Sequence, residues 1–190
     1  MYELLVLSLL MHWPLYGYLI ISISNNIIGP EERMSSGTLS TLLSKLEQAG
    51  LITPADPASV SFPTDRPTRA FAITPAGREH FMQLMLDITS HPGIYHRIFH
   101  IKALHLEFLP IEQQIFLVEH YVTYCQQFLR AKQETELAFA KLPLYQAHTS
   151  SALRDAALAF MHLKTAQWQL ELAWGESLRD HILSRLKQSG

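Results

Sequence analysis

At 190 residues the chain has room for one large domain or two small ones, and with 48% apolar residues it can build a true core. A formal net charge of -2 excludes a protein that is basic along its whole length, and a single cysteine, Cys125, excludes an intramolecular disulfide and fits a reducing cytosol. The apolar run Leu4–Met11 follows Glu3 with no basic segment before it, and it is far shorter than the roughly 20 residues that span a bilayer, so the expectation is a soluble cytoplasmic protein with no membrane partner.

Residues 2–12 are apolar nearly all round, which predicts the central helix of a small core. Pro14 ends it. A second helix is expected over Tyr16–Ile28, with Leu19, Ile20, Ile23 and Ile27 on one side and Gly17 as a point of close helix crossing. Gly29-Pro30 stops that helix. A third begins at Ser35 or Ser36, where a serine oxygen can accept from the free amides of the first turn. It stops before Gly50, because glycine tolerates the left-handed conformation of a C-terminal cap. Leu39, Leu42, Leu43 and Leu46 recur at i, i+3, i+4, i+7 and predict its buried face.

Leu51-Ile52-Thr53 is a short strand candidate, followed by a proline-rich turn from Pro54 to Pro67. Arg69–Ile73 alternates as a half-buried strand does. Thr74-Pro75 then opens a fourth helix over 75–89, with Thr as N-cap, Pro at the first helical position, and Phe81, Leu84, Met85 and Ile88 as its apolar stripe. His91-Pro92-Gly93 marks a boundary. Beyond it strand signals vanish. Residues 94–109 read as a helical connector, and Leu109-Pro110 opens a long helix to about Leu142. That helix carries the seam Ile111, Ile115, Val118, Val122, Cys125, Leu129. Residues 144–150 read as a loop. A second long helix, Ser151–Trp174, is apolar on two faces: Leu153, Ala156, Phe160, Leu163, Leu170 and Trp174 on one, Ala157, Met161, Trp168 and Leu172 on another. A helix apolar on two faces is buried on two sides, so one face fits its own subunit and the other a partner. Gly175 is expected to interrupt this helix before an amphipathic tail.

Helix, helix, helix, strand, loop, strand, helix is the order of a winged helix-turn-helix, whose recognition helix lies in the major groove. The third helix suits that role. At about 100° per residue, Gly37, Thr41, Ser44 and Gln48 fall opposite its leucines, with Ser40 and Lys45 on the flanks. A face of small donors and acceptors can approach base edges and phosphates closely. The candidate DNA-contacting residues are therefore Ser36, Gly37, Ser40, Thr41, Ser44 and Lys45 on the helix, with Arg66 and Arg69 on the wing.

The stretches Tyr2–Met11, Pro14–Ile20, Ser36–Ile52 and Ala70–Gly77 occur in an order and spacing that resembles the PadR family of bacterial transcriptional regulators. The resemblance covers about the first eighty residues. It implies a mainly α protein: a winged helix-turn-helix domain (1–90, with a two-stranded wing), a connector (91–109) and a helical dimerisation and effector domain (110–190). It implies a homodimer formed through the C-terminal helices, a double-stranded operator as partner, and regulation, as a repressor, by a phenolic or other small hydrophobic effector. Two departures stand out. The family usually has tyrosine where this chain has Ser40, and tyrosines in the second wing strand where this chain has Ala70 and Phe71. Serine reaches less far than a phenol, and phenylalanine has no hydroxyl to donate.

Dimerisation also follows from geometry, since two half-sites about 34–36 Å apart on one DNA face call for a two-fold dimer. Charge runs the other way. Residues 1–90 hold five Lys/Arg (Arg33, Lys45, Arg66, Arg69, Arg78) against eight Asp/Glu, although phosphate neutralisation supplies most non-specific DNA affinity. The acidic half and the missing tyrosines favour an alternative, a winged-helix adaptor that dimerises and binds protein. An enzyme finds no residues here: there is no Walker loop, no Gly-x-Ser-x-Gly, no dinucleotide fingerprint and no His-Glu-x-x-His. Among ten histidines, His96, His100 and His105 approach helical spacing without cysteine partners, so no metal and no cofactor is expected. For the effector, the aromatic candidates are Trp13, Phe99, His100, Trp168 and Trp174.

Overall fold

A computed structural model describes residues 1–60, 69–89, 92–141 and 150–188. They group into two units, Met1–Leu109 and Pro110–Gly190. In the first, the helices are α1 (Tyr2–His12), α2 (Gly17–Ile28), α3 (Ser36–Gln48), α4 (Pro75–Leu86) and α5 (Pro92–Ala103), and the strands β1 (Leu15–Tyr16), β2 (Ile52–Ala55) and β3 (Ala70–Ile73). Residues 92–109 thus group with the winged-helix elements, the last of them as a 3-10 turn at Leu106–Phe108.

The apolar character of α1 has the expected result: every residue from Leu4 to Leu10 is buried, including Ser8, whose hydroxyl donates to the Leu5 carbonyl at 2.8 Å. The stretch after it differs from the sequence reading. Tyr16 does not start a helix. Leu15 and Tyr16 form β1, paired antiparallel with β3 (Leu15 with Phe71, Tyr16 with Ala70). Pro14 breaks α1 and favours extended backbone before it, and β3 supplies the partner. The sheet order is β1-β3-β2, so the second wing strand is central. Pro54 is tolerated because β2 is an edge strand.

The caps hold as the sequence predicts. Ser35, the first of the two candidates, accepts from the Thr38 amide at 3.1 Å. Gly50 adopts φ +71°, and the Leu51 amide reaches back to the Leu46 carbonyl at 2.9 Å, a Schellman closure of α3. Thr74 accepts from the Gly77 amide at 3.0 Å, with Pro75 at the first helical position of α4. Gly17, by contrast, makes no close crossing: a methyl there would stand 3.9 Å from Leu43, an ordinary contact. The close approach is at Gly77, where a methyl would lie 2.0 Å from the Leu51 carbonyl oxygen.

The second unit is an antiparallel pair of long helices, α6 (Ile111–Lys141) and α7 (Ser151–Gln188). Val118, Val122 and Cys125 of the expected seam are buried, and burial pushes the Cys125 thiol up to about 12. Residues expected as a loop at 144–149 lie outside the described residues. Gly175 does not interrupt α7. The helix runs through it, and a methyl there would come within 3.3 Å of Tyr121 and Val122, so the glycine lets α7 lie close on α6.

Gly77→Ala is expected to cost about 2–4 kcal/mol, because the obstacle is backbone and cannot swing away. Urea denaturation read by circular dichroism measures the loss. An unchanged midpoint would show that β2 and α4 are not held together at this point.

Candidate nucleic-acid interface

The position of α3 is set before its surface matters. Asn25 on α2 clamps the approach to it, donating from Nδ2 to the Met34 carbonyl at 3.1 Å and accepting the Met34 amide at 2.7 Å. Met34 is itself buried. Ser35 then caps the helix, and Leu39, Leu43 and Leu46 are buried beneath it. The turn between α2 and α3 is therefore fixed by polar contacts at one end and apolar contacts along the helix.

The face left outside is the one the sequence predicts. Ser36, Gly37, Ser40, Thr41, Ser44 and Lys45 are all exposed, together with Thr38 and Gln48. They form a ridge between two hollows. On one side Ser36, Ser40 and Ser44 border a cleft of about 380 Å³ that is floored by Leu39, Leu43, Ile21 and Phe71 and reaches Gly17, Tyr18, Glu47 and Arg69. On the other, Gly37, Thr38, Thr41 and Lys45 border a hollow of about 450 Å³ with Tyr2 and Leu42. The helix can thus be approached along its length with no bulky side chain on the ridge.

Of the wing arginines, Arg66 lies outside the described residues. Arg69 stands just before β3 and is exposed. Its Nη2 donates to Glu47 Oε1 at 2.7 Å, and its guanidinium lies 5.2 Å from the centroid of the Phe71 ring. Phe71 is buried, and so is Ala70, which packs with Tyr16 and Val60. The positions that departed from the family pattern in β3 are therefore core rather than surface. Ser40 remains on the ridge.

Sequence reasoning passed over Asn25 and Glu47. Nothing in one sequence marks Asn25, since its partner is the backbone of a residue nine positions on. Glu47 did carry a signal: an acid in the last turn of a helix faces the negative end of the helix dipole and calls for a partner.

The aromatic residues considered for an effector divide between the units. In the first, Phe99 is fully buried core, while Trp13 is exposed at the end of α1 and stacked on His12 with ring centroids 4.9 Å apart. His100 lies edge-on to His96, 5.9 Å between rings. In the second, Trp168 packs on Phe128 and Tyr124 at 4.7 and 5.6 Å, and Trp174 on Tyr121 at 5.9 Å. A cleft of about 550 Å³ in that unit is bordered instead by Gln133, Glu136, Leu137, His162, Thr165 and Gln169. Among the described residues no group of three or more His, Cys, Asp or Glu is placed to hold a metal ion, and no helix is long and apolar enough to cross a membrane.

Three helices, a capped third helix with a small polar outer face, and a three-stranded sheet whose last two strands make the wing define a winged helix-turn-helix. Residues 6–83 match the family model described as the Transcriptional regulator PadR-like family. Over this segment the chain is similar to that family. No curated protein matches the chain in sequence. Similar solved structures include Bacillus subtilis PadR in complex with operator DNA, 18% identical over 95% of this chain and 98% of that one, with a TM-score of 0.42. Bacillus subtilis PadR in complex with p-coumaric acid is 18% identical over 95% and 97%, TM-score 0.40. The Vibrio cholerae virulence activator AphA is 20% identical over the whole of both chains, TM-score 0.40.

Beside His12 a buried histidine, His105, is expected to make the first unit sensitive to acid. His105 Nδ1 lies 3.3 Å from His12 Nε2, and His105 Nε2 is buried without a partner among the described residues. Burial, reinforced by the charge of His12, lowers the pKa of His105 to about 4 from an ordinary 6.5. The unfolded chain therefore takes up this proton near 6.5 and the folded one only near 4. Stability that is complete above pH 6.5 falls by about 3 kcal/mol as the pH drops through that window, and no further below it. Urea midpoints across the window, compared with those of His105→Gln, check this. The variant is expected to show a clearly flatter profile, and an identical profile would remove His105 as the source.

Proposed function

We propose that this protein is a cytoplasmic, homodimeric regulator that binds double-stranded operator DNA with α3 in the major groove. The observation that carries the reading is the exposed ridge of Ser36, Gly37, Ser40, Thr41, Ser44 and Lys45. It lies on a helix fixed at both ends, within a segment that matches a family of transcriptional regulators. Small hydroxyls on a rigid helix suit contacts to base edges, and Lys45 suits phosphate. Arg66 and Arg69 are the cations the wing would bring.

The dimer rests on α7. Leu153, Phe160, Leu163 and Leu170 are exposed, with Leu170 at 73%, and the intervals between these residues follow alternating steps of three and four once Ala156 and Gln167 are included. The opposite face, with Trp168, is already occupied by α6. A heptad-spaced stripe of this kind suits a second copy of the same helix. We further propose that the protein acts as a repressor by occluding its operator, and that a phenolic or other small hydrophobic effector relieves it by changing the dimer geometry. The aromatic candidates are Trp13, Phe99 and His100 in the first unit and Trp168 and Trp174 in the second.

The competing reading is a winged-helix adaptor that dimerises and binds protein. The excess of acid in residues 1–90 and the neutralisation of Arg69 by Glu47 favour it. Fluorescence anisotropy separates the two, using duplex DNA from upstream of the gene for this chain beside a scrambled duplex, across a salt series. On the regulator reading the cognate duplex is preferred and log affinity falls linearly with log salt. Lys45→Ala is expected to make that slope shallower by about 0.9 per subunit. Equal binding to both duplexes, or none, moves the weight to the adaptor. Sedimentation equilibrium tests the dimer: Leu163→Glu combined with Leu170→Glu is expected to yield monomers. A dimer that survives both charges would place the interface elsewhere.

A further inference from the structure

We infer that Glu47 sets the DNA affinity of this protein by competing with phosphate for Arg69. The inference rests on the operator-binding reading above and adds to it a residue that opposes binding.

Four observations carry it. First, Arg69 and Glu47 both border the cleft beside the Ser36, Ser40 and Ser44 edge of α3, so the pair lies on the proposed reading surface itself. Second, the hydrogen bond between them is short, 2.7 Å, yet it runs from one guanidinium nitrogen to one carboxylate oxygen, and the Arg69 side chain is 63% exposed against 29% for Glu47. An exposed, single-bonded ion pair of this kind is held weakly and exchanges partners readily. Third, Glu47 sits in the last turn of α3, where the helix dipole disfavours a carboxylate. Its position is not explained by helix stability. Fourth, cations are scarce in this unit. Among the described residues of this unit, Arg97 is paired with Glu32, the Arg78 guanidinium lies against the Met11 sulfur, Lys102 is buried and donates to the Asp87 carbonyl, and Arg33 is exposed ahead of α3. Of the basic residues, Lys45 and Arg69 border the two hollows beside the ridge, and one of the two is neutralised.

Arg69 therefore has two alternative anionic partners of similar geometry. In the free protein the carboxylate of Glu47 holds it across the Phe71 ring. On DNA a phosphate takes its place, and Glu47 is left bare beside the duplex. Each association then costs the lost ion pair and a repulsion between Glu47 and the backbone. The consequence is an affinity held down without any change in the base-reading ridge, so specificity is kept while non-specific binding is suppressed.

The test is a double-mutant cycle of Glu47→Gln and Arg69→Ala in the full-length protein. Anisotropy is read on the upstream duplex and on a scrambled duplex at low salt. Glu47→Gln keeps the shape of the side chain and removes its charge. It is expected to tighten binding to both duplexes by roughly fivefold. In the Arg69→Ala background the same change is expected to give about twofold or less, since only the repulsion remains. A carboxylate that merely supported the fold would give weaker binding on removal, not tighter. If the parent binds DNA and Glu47→Gln does not tighten it, or tightens it equally without Arg69, the competition is overturned while the regulator reading stands. If the parent is silent and Glu47→Gln binds, the competition is supported in its strongest form. If no variant binds either duplex, both readings fall together.

Discussion

The winged-helix unit depends on the burial of α1. Seven consecutive residues, Leu4 to Leu10, are removed from water, and Leu5, Val6 and Leu7 are fully buried. Each large apolar side chain contributes about 1.5–3 kcal/mol when it leaves water, so this one helix outweighs every polar contact around the reading surface. A helix with no polar face has to be enclosed. α4 and β3 pack on it, and α2 leans against it and carries α3. The orientation of the exposed ridge is thus set by apolar packing, and the Ser35 cap, at about 1 kcal/mol, only trims the end of a helix already placed.

Much of this was legible from local chemistry. Caps are local: Ser35, Gly50, Thr74 and Pro75 each act within a few residues, and each does what its residue type dictates. The two faces of α3 are also local, because helical periodicity assigns Leu39, Leu43 and Leu46 inward and leaves the serines out. What escaped depends on partners distant in sequence. β1 is two residues long, too short for any periodicity, and exists because β3 passes beside it. Gly77 looks like a routine helix residue until the Leu51 carbonyl is known to press on it, and Gly175 looks like a helix breaker until Tyr121 and Val122 are seen against it. Both glycines are explained by absent volume, which a sequence does not display. Phe71 and Ala70 belong to the same class. Their departure from the family pattern reads as a loss of hydroxyls at a surface, yet both are core.

The chemistry of the reading surface is unusual in how little charge it carries. A ridge of hydroxyls and a glycine admits close approach and offers hydrogen bonds, but it provides almost none of the counterion release that drives association with a polyanion. With Arg69 engaged by Glu47, Lys45 supplies the remaining described cation on that face. On the proposed operator-binding reading, specificity and affinity are thereby separated: the ridge would discriminate among base edges, while the strength of binding would be left to few charges and to the number of subunits engaged.

On the proposed dimeric reading, that separation gives the second unit a physical role. A single winged helix with so few cations would hold a duplex weakly. Two of them joined rigidly convert the second encounter into an intramolecular one and raise avidity without any new contact. α7 suits such a joint. Its inner face is spent on α6, with Gly175 drawing the helices together, and its outer face still carries Leu153, Phe160, Leu163 and Leu170 over a length of about 26 Å. An apolar stripe of that length is costly to leave in water and gains nothing from further intrahelical contacts. On the proposed reading, the few cations of the first unit and the exposed apolar face of the second are complementary, and one two-fold association would resolve both.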